Sequence, residues 1–322
     1  MISTDVIEKH LFDCLDDTSF LPLPNRKKGK VRDTYDLGDK LLLVTTDRQS
    51  AFDRILASIP FKGQVLNQVS AFWFTQTRDI VPNQMVEAPD PNATLAKKCA
   101  VLPIEFVVRG YLTGSTDTSA WMQYSKGVRN LCGNKLPDKM VKNQKFERPI
   151  LTPTTKSDLH DESISPAEII TRGLVDPALW EQCESVVFKL FERGTRIAAS
   201  NGLILVDTKY ELGTDENGGL MLIDEIHTPD SSRYWIGETF ESRLQSGQEP
   251  ENIDKEFLRL WFKDHCDPYK DKVLPPAPQE LVVELSSRYI KLYEMITGKH
   301  FEVDTSISIK DRLSRNLRKY CK

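Results

Sequence analysis

The chain has 322 residues, 39% of them hydrophobic and 28% charged, which is enough to bury the core of one large domain or two interlocked ones. Its formal net charge of −4 at pH 7 disfavours nucleic acid, since phosphate backbones normally select a basic surface. No apolar run reaches the roughly 18 residues of a membrane span, and acidic residues interrupt the place of a signal peptide. The six cysteines form no CxxC pair, which predicts free thiols in a reducing compartment, the cytoplasm.

The first third of the chain has the pattern of an antiparallel β region. Residues 30–35, 40–46 and 104–109 are short β-branched or apolar runs bounded by Gly, Asp and Pro, and this predicts strands. Residues 64–77 are predicted as a helix. The segment 115–153 is irregular, with a short helix expected at its WMQYSKG stretch.

Helices dominate the rest of the chain. Ser165 begins a capping-box pattern, and Asp176, followed by proline, begins a long amphipathic helix that stops at Gly202. The basic stretch 310–322 is expected to be a solvated helix face. The class is therefore mixed α and β (α+β), with further strands expected at 203–211 and 220–226 and further helices at 253–265 and 279–297.

One predicted strand carries an unusual pattern of charges. Asp207, Lys209 and Glu211 occupy alternate positions, so in a strand their side chains share one face. The turn signal TDENGG follows, and a returning antiparallel strand would bring Asp224 or Glu225 near Glu211. Magnesium typically takes one or two protein carboxylates, with water and phosphates in its other positions. The hairpin is therefore a candidate magnesium site, although an exposed strand with a simple ion pair would show the same alternation.

Two further segments suit an anion. Residues 228–233, TPDSSR, place three short polar side chains beside Arg233, which can make a bidentate contact to phosphate or carboxylate. Lys28, Lys30 and Arg32 alternate within the densest basic run, so one side of a strand could cover ATP phosphates. An ordinary turn and a solvated charged face are the alternatives. Neither a Walker A loop nor a GxGxxG motif is present, so nucleotide binding would need another architecture.

Three more polar segments could contact a substrate. Arg109 ends a predicted strand, and the glycines and hydroxyls up to Ser115 suit a phosphate or ribose, with a tight turn as the alternative. Residues 152–162, TPTTKSDLHDE, form a second cluster. His160 within it is a weak general-base candidate, because no serine or cysteine nucleophile motif accompanies it. Residues 47–53, DRQSAFD, form a third polar loop after an apolar strand.

A family resemblance rests on six blocks in this order: GKVRDTYD, TTDRQSAFD, VVRGYLTGS, TPTTKSDLHDE, LILVDTKYELG and DEIHTPDSSRYW. Together they resemble the SAICAR synthetase family of purine biosynthesis, the phosphoribosylaminoimidazole-succinocarboxamide synthases. The resemblance runs from about residue 26 to residue 240. The segment between Ser115 and Thr152 is similar to the longer, fungal-type form of the family.

The resemblance implies an ATP- and Mg²⁺-dependent ligase. This enzyme joins the carboxylate of CAIR, 5-amino-1-(5-phospho-D-ribosyl)imidazole-4-carboxylate, to the amine of L-aspartate, through an acyl phosphate. It implies a small N-terminal antiparallel β domain, residues 1–103, and a larger α/β domain, residues 104–322. The ATP cleft would lie between them, in an architecture similar to kinases and ATP-grasp ligases. The expected partners are these small molecules and no nucleic acid or membrane, in a monomer or weak homo-oligomer.

The resemblance implies most of the site residues, and the charge patterns above add Lys28 and Ser232. Lys209 is expected to orient the CAIR carboxylate. The expected catalytic residues are Lys209, Asp207 and Asp161; those at ATP are Lys28, Lys30 and Arg32; the metal pair is Glu211 and Asp224; and those at the substrates are Arg109, Ser115, Ser50, Asp53, Ser232 and Arg233.

Two other functions share part of this pattern. A small-molecule or protein kinase would use Mg-ATP and the acidic hairpin but would transfer phosphate to a hydroxyl, with no need for aspartate. The HRD and DFG signatures of protein kinases are absent. A catalytically silent nucleotide-binding module would lack at least one carboxylate of the metal pair, and both are present.

Overall fold

Two antiparallel sheets organise the protein in a computed structural model that describes residues 2–156, 162–253 and 256–321. In chain order the first seven strands are β1 (Arg26–Lys28), β2 (Arg32–Asp36), β3 (Lys40–Thr45), β4 (Arg48–Ala51), β5 (Arg54–Ser58), β6 (Met85–Asp90) and β7 (Ala93–Lys97). Five of them form the N-terminal sheet in the order β1-β2-β3-β7-β6, and β4 and β5 pair as a separate hairpin. The β-rich character predicted for the first third is confirmed.

The second sheet is built on two long central strands. The remaining strands are β8 (Ala100–Tyr111), β9 (Asn130–Leu131), β10 (Asn134–Lys135), β11 (Lys145–Leu151), β12 (Thr154–Thr155), β13 (Leu203–Thr214), β14 (Leu220–Ile223) and β15 (Ser232–Ile236). The sheet order is β11-β8-β13-β14, with β12 also on β8 and β15 also on β13. Strands β8 and β13 are adjacent and antiparallel, so residues far apart in sequence meet on their shared faces.

The helices cover these sheets, and the two helix starts predicted at Ser165 and Asp176 are confirmed. They are α1 (Thr4–Lys9), α2 (Lys62–Thr77), α3 (Ala120–Ser125), α4 (Pro166–Thr171), α5 (Pro177–Ser200), α6 (Gly237–Gln245), α7 (Glu256–His265), α8 (Gln279–Thr297) and α9 (Ile309–Asn316), followed by a 3-10 turn at Arg318–Tyr320. Ser165 and Glu168 form the capping box of α4, and Asp176 caps α5. None of the helices in the described ranges is long and apolar enough to cross a membrane.

Helix α5 fixes the sheet that carries the site. It buries one apolar stripe, which includes Val187, Leu190 and Phe191, against the sheet face opposite the charged residues of β13. Burying a side chain of this size contributes roughly 1.5–3 kcal/mol relative to leaving it exposed. Gly194 is needed for the close approach, because a Cβ there would lie 2.3 Å from the ring of His227.

The C-terminal stretch packs against the N-terminal sheet, so the expected solvated helix face is wrong. Leu313 and Leu317 are fully buried in the apolar cluster beneath the N-terminal sheet. Arg312 is buried as well, with Nε 3.2 Å from Asp90 Oδ2 and Nη2 2.5 Å from Asn92 Oδ1. The basic composition hid an amphipathic helix whose apolar side covers this sheet and whose arginine has a buried carboxylate partner.

Two predicted strands are shorter than the sequence indicated. The strand predicted at 30–35 begins at Arg32, because residues 29–31 form the turn between β1 and β2. A Cβ at Gly29 would lie 2.3 Å from the carbonyl oxygen of Arg32, so the turn requires glycine. The strand predicted at 220–226 ends at Ile223, because Asp224 turns the chain with a φ of 64°.

Candidate active site

The alternating residues of β13 lie on one face of the second sheet, as predicted. Asp207 pairs across the strands with Arg109, and Glu211 pairs with Glu105. Lys209 lies between these two pairs, because cross-strand neighbours on a face alternate with the pleat. The residues between them face the opposite side and are buried in the core. The shared face therefore carries an arginine-rich end and a carboxylate-rich end.

Lys209 is held between two carboxylates. Its Nζ lies 2.8 Å from Glu105 Oε1 and 2.7 Å from Glu211 Oε1. Lys156, which follows β12, donates to the other oxygen of Glu211. Burial would lower the pKa of Lys209, but the charges of Glu211, Asp224 and Glu105 raise it above its usual value. Lys209 is therefore cationic at neutral pH and suited to holding an anion, not to accepting a proton.

Arg32 and Asp224 meet at the carboxylate-rich end. Arg32 Nη1 donates to Asp224, and Arg32 Nη2 lies 3.5 Å from Glu225 Oε2. Asp224 has a positive φ, which is uncommon for a residue other than glycine and is often found at functional sites. Burial would raise the pKa of Asp224, but the charges of Arg32 and Lys209 lower it to about 2. Asp224 is therefore ionised at neutral pH.

Asp207 joins two arginines at the other end. Its carboxylate lies 3.2 Å from Arg109 Nη1 and 3.1 Å from Arg233 Nη2, and it also accepts from Arg233 Nε at 3.2 Å. Thr152 accepts from Arg109 Nε at 2.8 Å. Burial lowers the pKa of Arg109, which Asp207 counteracts. One carboxylate thus fixes two guanidinium groups on the same face, a geometry suited to a phosphate or carboxylate ligand.

The loop 228–233 is tied to β13 through its backbone and to two helices through Asp230. The N–H of Lys209 donates to the carbonyl of Ser231 at 3.0 Å. Lys62 Nζ, at the start of α2, lies 2.7 Å from Asp230 Oδ2, and the Tyr289 hydroxyl of α8 donates to Asp230 Oδ1 at 2.5 Å. The loop that carries Arg233 is therefore anchored at its tip by buried polar contacts.

Ser232 departs from its predicted role. It pairs with Thr208, and its hydroxyl donates to Thr208 Oγ1 at 2.7 Å. Since Thr208 lies on the face opposite Lys209, the side chain of Ser232 is turned toward the core and is buried. The alternation that places Arg233 at the site necessarily places Ser232 away from it. The Ser232 side chain therefore points away from the charged face on which a substrate would bind.

Ser115 and Arg233 line one cavity of about 220 Å³. Gly114 turns the chain there with a φ of 113°, and a Cβ on it would lie 3.4 Å from Arg233 Nη1 and closer still to Ser119. The hydroxyl of Ser115 accepts from Arg259 Nη2 at 3.0 Å. The predicted GYLTGS turn and the predicted arginine thus meet at one pocket.

The predicted ATP lysines lie on a hairpin, not on one strand face. Lys28 ends β1 and pairs with Asp33, whereas Arg32 begins β2 on the far side of the turn. The predicted common face for Lys28, Lys30 and Arg32 is therefore wrong, because the chain reverses between them. Lys30, in the turn, forms an exposed ion pair with Asp53 at the tip of the β4–β5 hairpin.

The remaining predicted residues divide between the hairpin and a segment that the structure leaves undescribed. Ser50 lies in β4, three residues before Asp53. Asp161, together with His160, lies outside the described residues. Within the described ranges no group of three His, Cys, Asp or Glu side chains converges as a metal site. A pair of carboxylates with cations around it is a donor set for an ion that keeps water and phosphate ligands, which fits magnesium.

The family is decided by comparison with known sequences. A model of the family described as SAICAR synthetase matches residues 25–276. The chain belongs to the SAICAR synthetase family. The phosphoribosylaminoimidazole-succinocarboxamide synthase of Legionella pneumophila (strain Paris) is 60% identical over 308 residues, which cover 95% of this chain and 98% of the relative. The chloroplastic one of Arabidopsis thaliana is 59% identical over 315 residues, 96% of this chain and 77% of the relative.

Solved structures of SAICAR synthetases share the fold. The SAICAR synthase of Saccharomyces cerevisiae, solved with SAICAR, has a TM-score of 0.75 and 34% identity, over 88% of this chain and 97% of that one. A SAICAR synthetase (type-2) solved with ADP has a TM-score of 0.66 and 25% identity, over 87% of this chain and 100% of that one. The mixed α and β fold with antiparallel sheets agrees with these relatives.

Sequence reasoning missed three side chains in this SAICAR synthetase family site. Glu105 lies four residues before Arg109 on β8, so the period-two rule could have placed it on the charged face. Lys156 was visible only as part of a polar block, and no local pattern indicates its contact with Glu211. Arg259 comes from α7, far along the chain, and its contact with Ser115 depends on tertiary packing.

Proposed function

We propose that the two ends of this charged face bind the two phosphorylated substrates of the family reaction. The protein is an ATP-dependent ligase that makes SAICAR, ADP and phosphate from CAIR, L-aspartate and ATP. The arginine-rich end binds CAIR, the carboxylate-rich end binds Mg-ATP, and Lys209 lies between them. The observation that carries the proposal is the position of Lys209. It lies on one strand face between Arg109 and Glu211 and is hydrogen-bonded to Glu211.

At the ribotide end, anion binding is supported by the excess of guanidinium groups. Arg109 and Arg233 share the carboxylate of Asp207, so their remaining N–H donors are oriented but not consumed. Ser115 lines the same cavity as Arg233 and accepts a hydrogen bond from Arg259. Asp207 acts as a fixed counter-ion for the two arginines.

At the nucleotide end, the support is the chemistry of the oxygen donors. Glu211 and Asp224 would hold the magnesium ion, since both supply hard carboxylate oxygens and Asp224 directly follows Ile223, the residue that pairs with Glu211. Glu225, which accepts from Thr228 Oγ1 at 2.7 Å, is the alternative carboxylate. Bound magnesium neutralises phosphate charge. Arg32 and Lys30 would contact the phosphates, with Ser50, Asp53 and Lys28 on the flanking hairpins.

The reaction needs charge stabilisation more than a protein nucleophile. A CAIR carboxylate oxygen attacks the γ-phosphorus, and the bond from that phosphorus to ADP breaks as the acyl phosphate forms. The aspartate amine then attacks the acyl carbon, the bond to phosphate breaks, and the amine gives up a proton. Lys209 holds the carboxylate in line, and Arg32 stabilises charge on the transferring group. Asp161 stays a proposed further acid of the site.

An ADP-release assay tests this function against the kinase alternative. The protein is incubated with ATP and CAIR, with and without L-aspartate and with and without Mg²⁺, and SAICAR and ADP are quantified. We expect ADP and SAICAR to appear in equal amounts and only when both Mg²⁺ and L-aspartate are present. ADP release that is equally fast with a hydroxyl acceptor and no aspartate would favour a kinase.

The proposal also covers the cellular location, the domain division and the oligomeric state. We propose that the protein works in the cytoplasm, as six free cysteines are typical of a reducing compartment. We propose a division near residue 103 into a β-rich nucleotide unit and a larger unit, although α9 packs against the first. We propose a monomer or weak homo-oligomer, which sedimentation at several protein concentrations would test.

A further inference from the structure

The long segment after Ser115 folds back beside the end of β8. The main-chain N–H of Asn143 donates to the carbonyl of Leu112 at 2.7 Å. The Asn143 side chain accepts from Thr113 Oγ1 at 2.7 Å and donates to Glu249 Oε2 at 3.0 Å. Asn143 is buried and has a φ of 66°. A buried residue with three hydrogen bonds to two other segments fixes the position of the residue before it.

That preceding residue, Lys142, reaches the ribotide cavity. Its ammonium group forms an ion pair with Glu249 Oε1, and both residues line the same cavity as Ser115 and Arg233. Burial would raise the pKa of Glu249, but its hydrogen bonds to Lys142 and Asn143 lower it below its usual value. Glu249 is therefore charged at neutral pH, and the pair is a true ion pair at the wall of the pocket.

The charge on this wall can be redistributed when a dianion arrives. The Lys142 side chain is 35% exposed, so it can rotate toward a ligand without leaving a buried position. A phosphomonoester carries a charge of about −1.5 to −2 near neutral pH, more than one carboxylate offers. Arg233 already shares its charge with Asp207, which leaves room for a second cation at the phosphate. Glu249 keeps its bond to Asn143 in either position.

We propose that Lys142 binds the 5′-phosphate of the ribotide and that Asn143 and Glu249 position it. The inference rests on the proposed function, because it takes the cavity between Ser115 and Arg233 as the phosphate end of the CAIR site. It gives the long segment a task that its sequence does not reveal. Lys142 selects for a phosphorylated sugar, and the segment forms the outer wall of the pocket.

The experiment compares Lys142→Met with the wild-type enzyme. We expect the KM for CAIR to rise about tenfold, the size of one partly exposed charge-assisted hydrogen bond, while the KM values for ATP and L-aspartate stay unchanged. Ribose 5-phosphate, used as a competitor of CAIR, should weaken by the same factor. The nucleoside of CAIR, which lacks the phosphate, should compete equally well with both proteins. Lys142→Arg should retain most of the affinity for CAIR.

Lys126→Met is the matched control. Lys126 lies in the same segment and forms an exposed ion pair with Asp117 at 3.0 Å, but it does not line the cavity. Arg233→Met distinguishes a wrong role for Lys142 from a wrong position of the ribotide site. If Arg233→Met raises the KM for CAIR and Lys142→Met does not, the inference is wrong and the proposed function stands. If neither does, the proposed ribotide position is wrong as well. Equal weakening of the phosphate-free nucleoside in Lys142→Met would reduce Lys142 to a structural role.

Discussion

The two ends of the charged face use the same residue types in opposite proportions. At the ribotide end, two arginines surround the single carboxylate of Asp207. At the nucleotide end, four carboxylates surround three cations, and Arg32 and Lys209 each lie against two of the carboxylates. The first end is left with unused N–H donors and the second with unused oxygen ligands. This difference in charge is the reason for proposing a bare phosphate at the first end and a metal-bound phosphate at the second.

The comparison also explains why neither end needs a shifted general base. Arg109 stays charged although burial lowers its pKa, because an arginine side chain is not deprotonated in proteins. Lys209, between the ends, has its pKa raised by the acids around it, and Asp224 has its pKa lowered to about 2 by the bases around it. Lys209 and Asp224 are therefore both charged near neutral pH. The site is built for electrostatic preorganisation, which costs no rearrangement at the moment of reaction.

The largest predicted effect removes a carboxylate from the nucleotide end. Glu211→Gln and Asp224→Asn keep the size of each side chain and remove one negative charge. We expect kcat to fall by about 10²–10³-fold, as for the loss of one preorganised transition-state contact. The KM for CAIR should change far less. Steady-state ADP release at saturating substrates measures the effect, and circular dichroism checks the fold.

Glu216→Gln is the control for this pair. Glu216 lies exposed at the tip of the same hairpin, so the same chemical change there should leave turnover unaltered. A Glu211→Gln or Asp224→Asn enzyme with wild-type turnover would remove the metal assignment from that residue. Turnover restored by Mn²⁺ in place of Mg²⁺ would strengthen it, because Mn²⁺ accepts the same octahedral oxygen ligands and the defect would then depend on the identity of the metal ion.

The second prediction breaks the ribotide end. Asp207→Asn leaves two guanidinium groups close together without their shared counter-ion. We expect the protein to lose about 3 kcal/mol of unfolding free energy, because a buried ion pair loses one partner. The KM for CAIR should rise while the KM for ATP does not, since only one end is disturbed. Urea unfolding and a kinetic titration of each substrate measure the two effects.

Asp33 offers a contrast for this substitution. It is also a buried carboxylate with two arginine partners, Arg26 and Arg48, but it lies in the N-terminal sheet. Asp33→Asn should cost similar stability with no selective change in the KM for CAIR. A parallel rise of all three KM values in Asp207→Asn would mean that the residue supports the whole site and not one end.

Local periodicity predicted the charged face but not the contacts that other strands and helices make with it. The period-two pattern of Asp207, Lys209 and Glu211 and the turn after them were enough to place these groups on one face and Asp224 nearby. The sequence did not predict the contacts that depend on how distant elements pack together. The pairing of β13 with β8 brings Glu105 to Lys209, and helix α7 brings Arg259 to Ser115. The period-two rule could have placed Glu105 on the charged face, but the partner of each residue depends on how the elements pack together.

Ser232 and the basic hairpin show the opposite failure, in which composition outweighed geometry. Ser232 looked like a ligand residue because it precedes Arg233, yet neighbours in a strand face opposite ways. Lys28 and Arg32 looked like one face because they alternate, yet Gly29 allows a turn between them. The charge patterns alone predicted only Mg-ATP chemistry. The ligase activity was predicted from the family resemblance.

The third prediction concerns the segment that joins the two ends, residues 224–233. Lys62 and Asp230 form a buried ion pair that fixes the tip of this segment. Lys62→Met should destabilise the protein by about 3 kcal/mol and raise the KM for CAIR through displacement of Arg233. The double variant Lys62→Met/Asp230→Asn should recover part of the stability, since no lone charge stays buried.

Tyr289→Phe and Tyr35→Phe sharpen the test by removing one hydroxyl each. Tyr289 bonds to Asp230 at 2.5 Å, whereas Tyr35 bonds to Thr18 at 2.7 Å in the N-terminal sheet. Both should cost about 1 kcal/mol of stability. Only Tyr289→Phe should affect the KM for CAIR. Equal kinetics in both variants would show that Asp230 serves folding alone.

The last prediction is a pH dependence of stability that arises from His227, in the same joining segment. Burial lowers the pKa of His227 to about 3 from a usual value of about 6.5. The folded protein therefore binds fewer protons than the unfolded chain between these values, so stability is complete above pH 6.5 and falls as the pH falls toward 3. Between pH 7 and pH 5 this residue should account for a loss of about 2 kcal/mol.

His227→Phe keeps an aromatic ring against Trp73 and Tyr210 but cannot bind a proton. The variant should be less stable at pH 7, because Tyr210 loses its hydrogen bond at 2.5 Å. Its stability should nevertheless decline less than that of the wild type between pH 7 and pH 5, when both are measured by urea unfolding. The exposed residue His300 supplies a control for replacing a histidine by phenylalanine outside the joining segment. An unchanged slope in His227→Phe would mean that other groups govern the acid sensitivity of the joining segment.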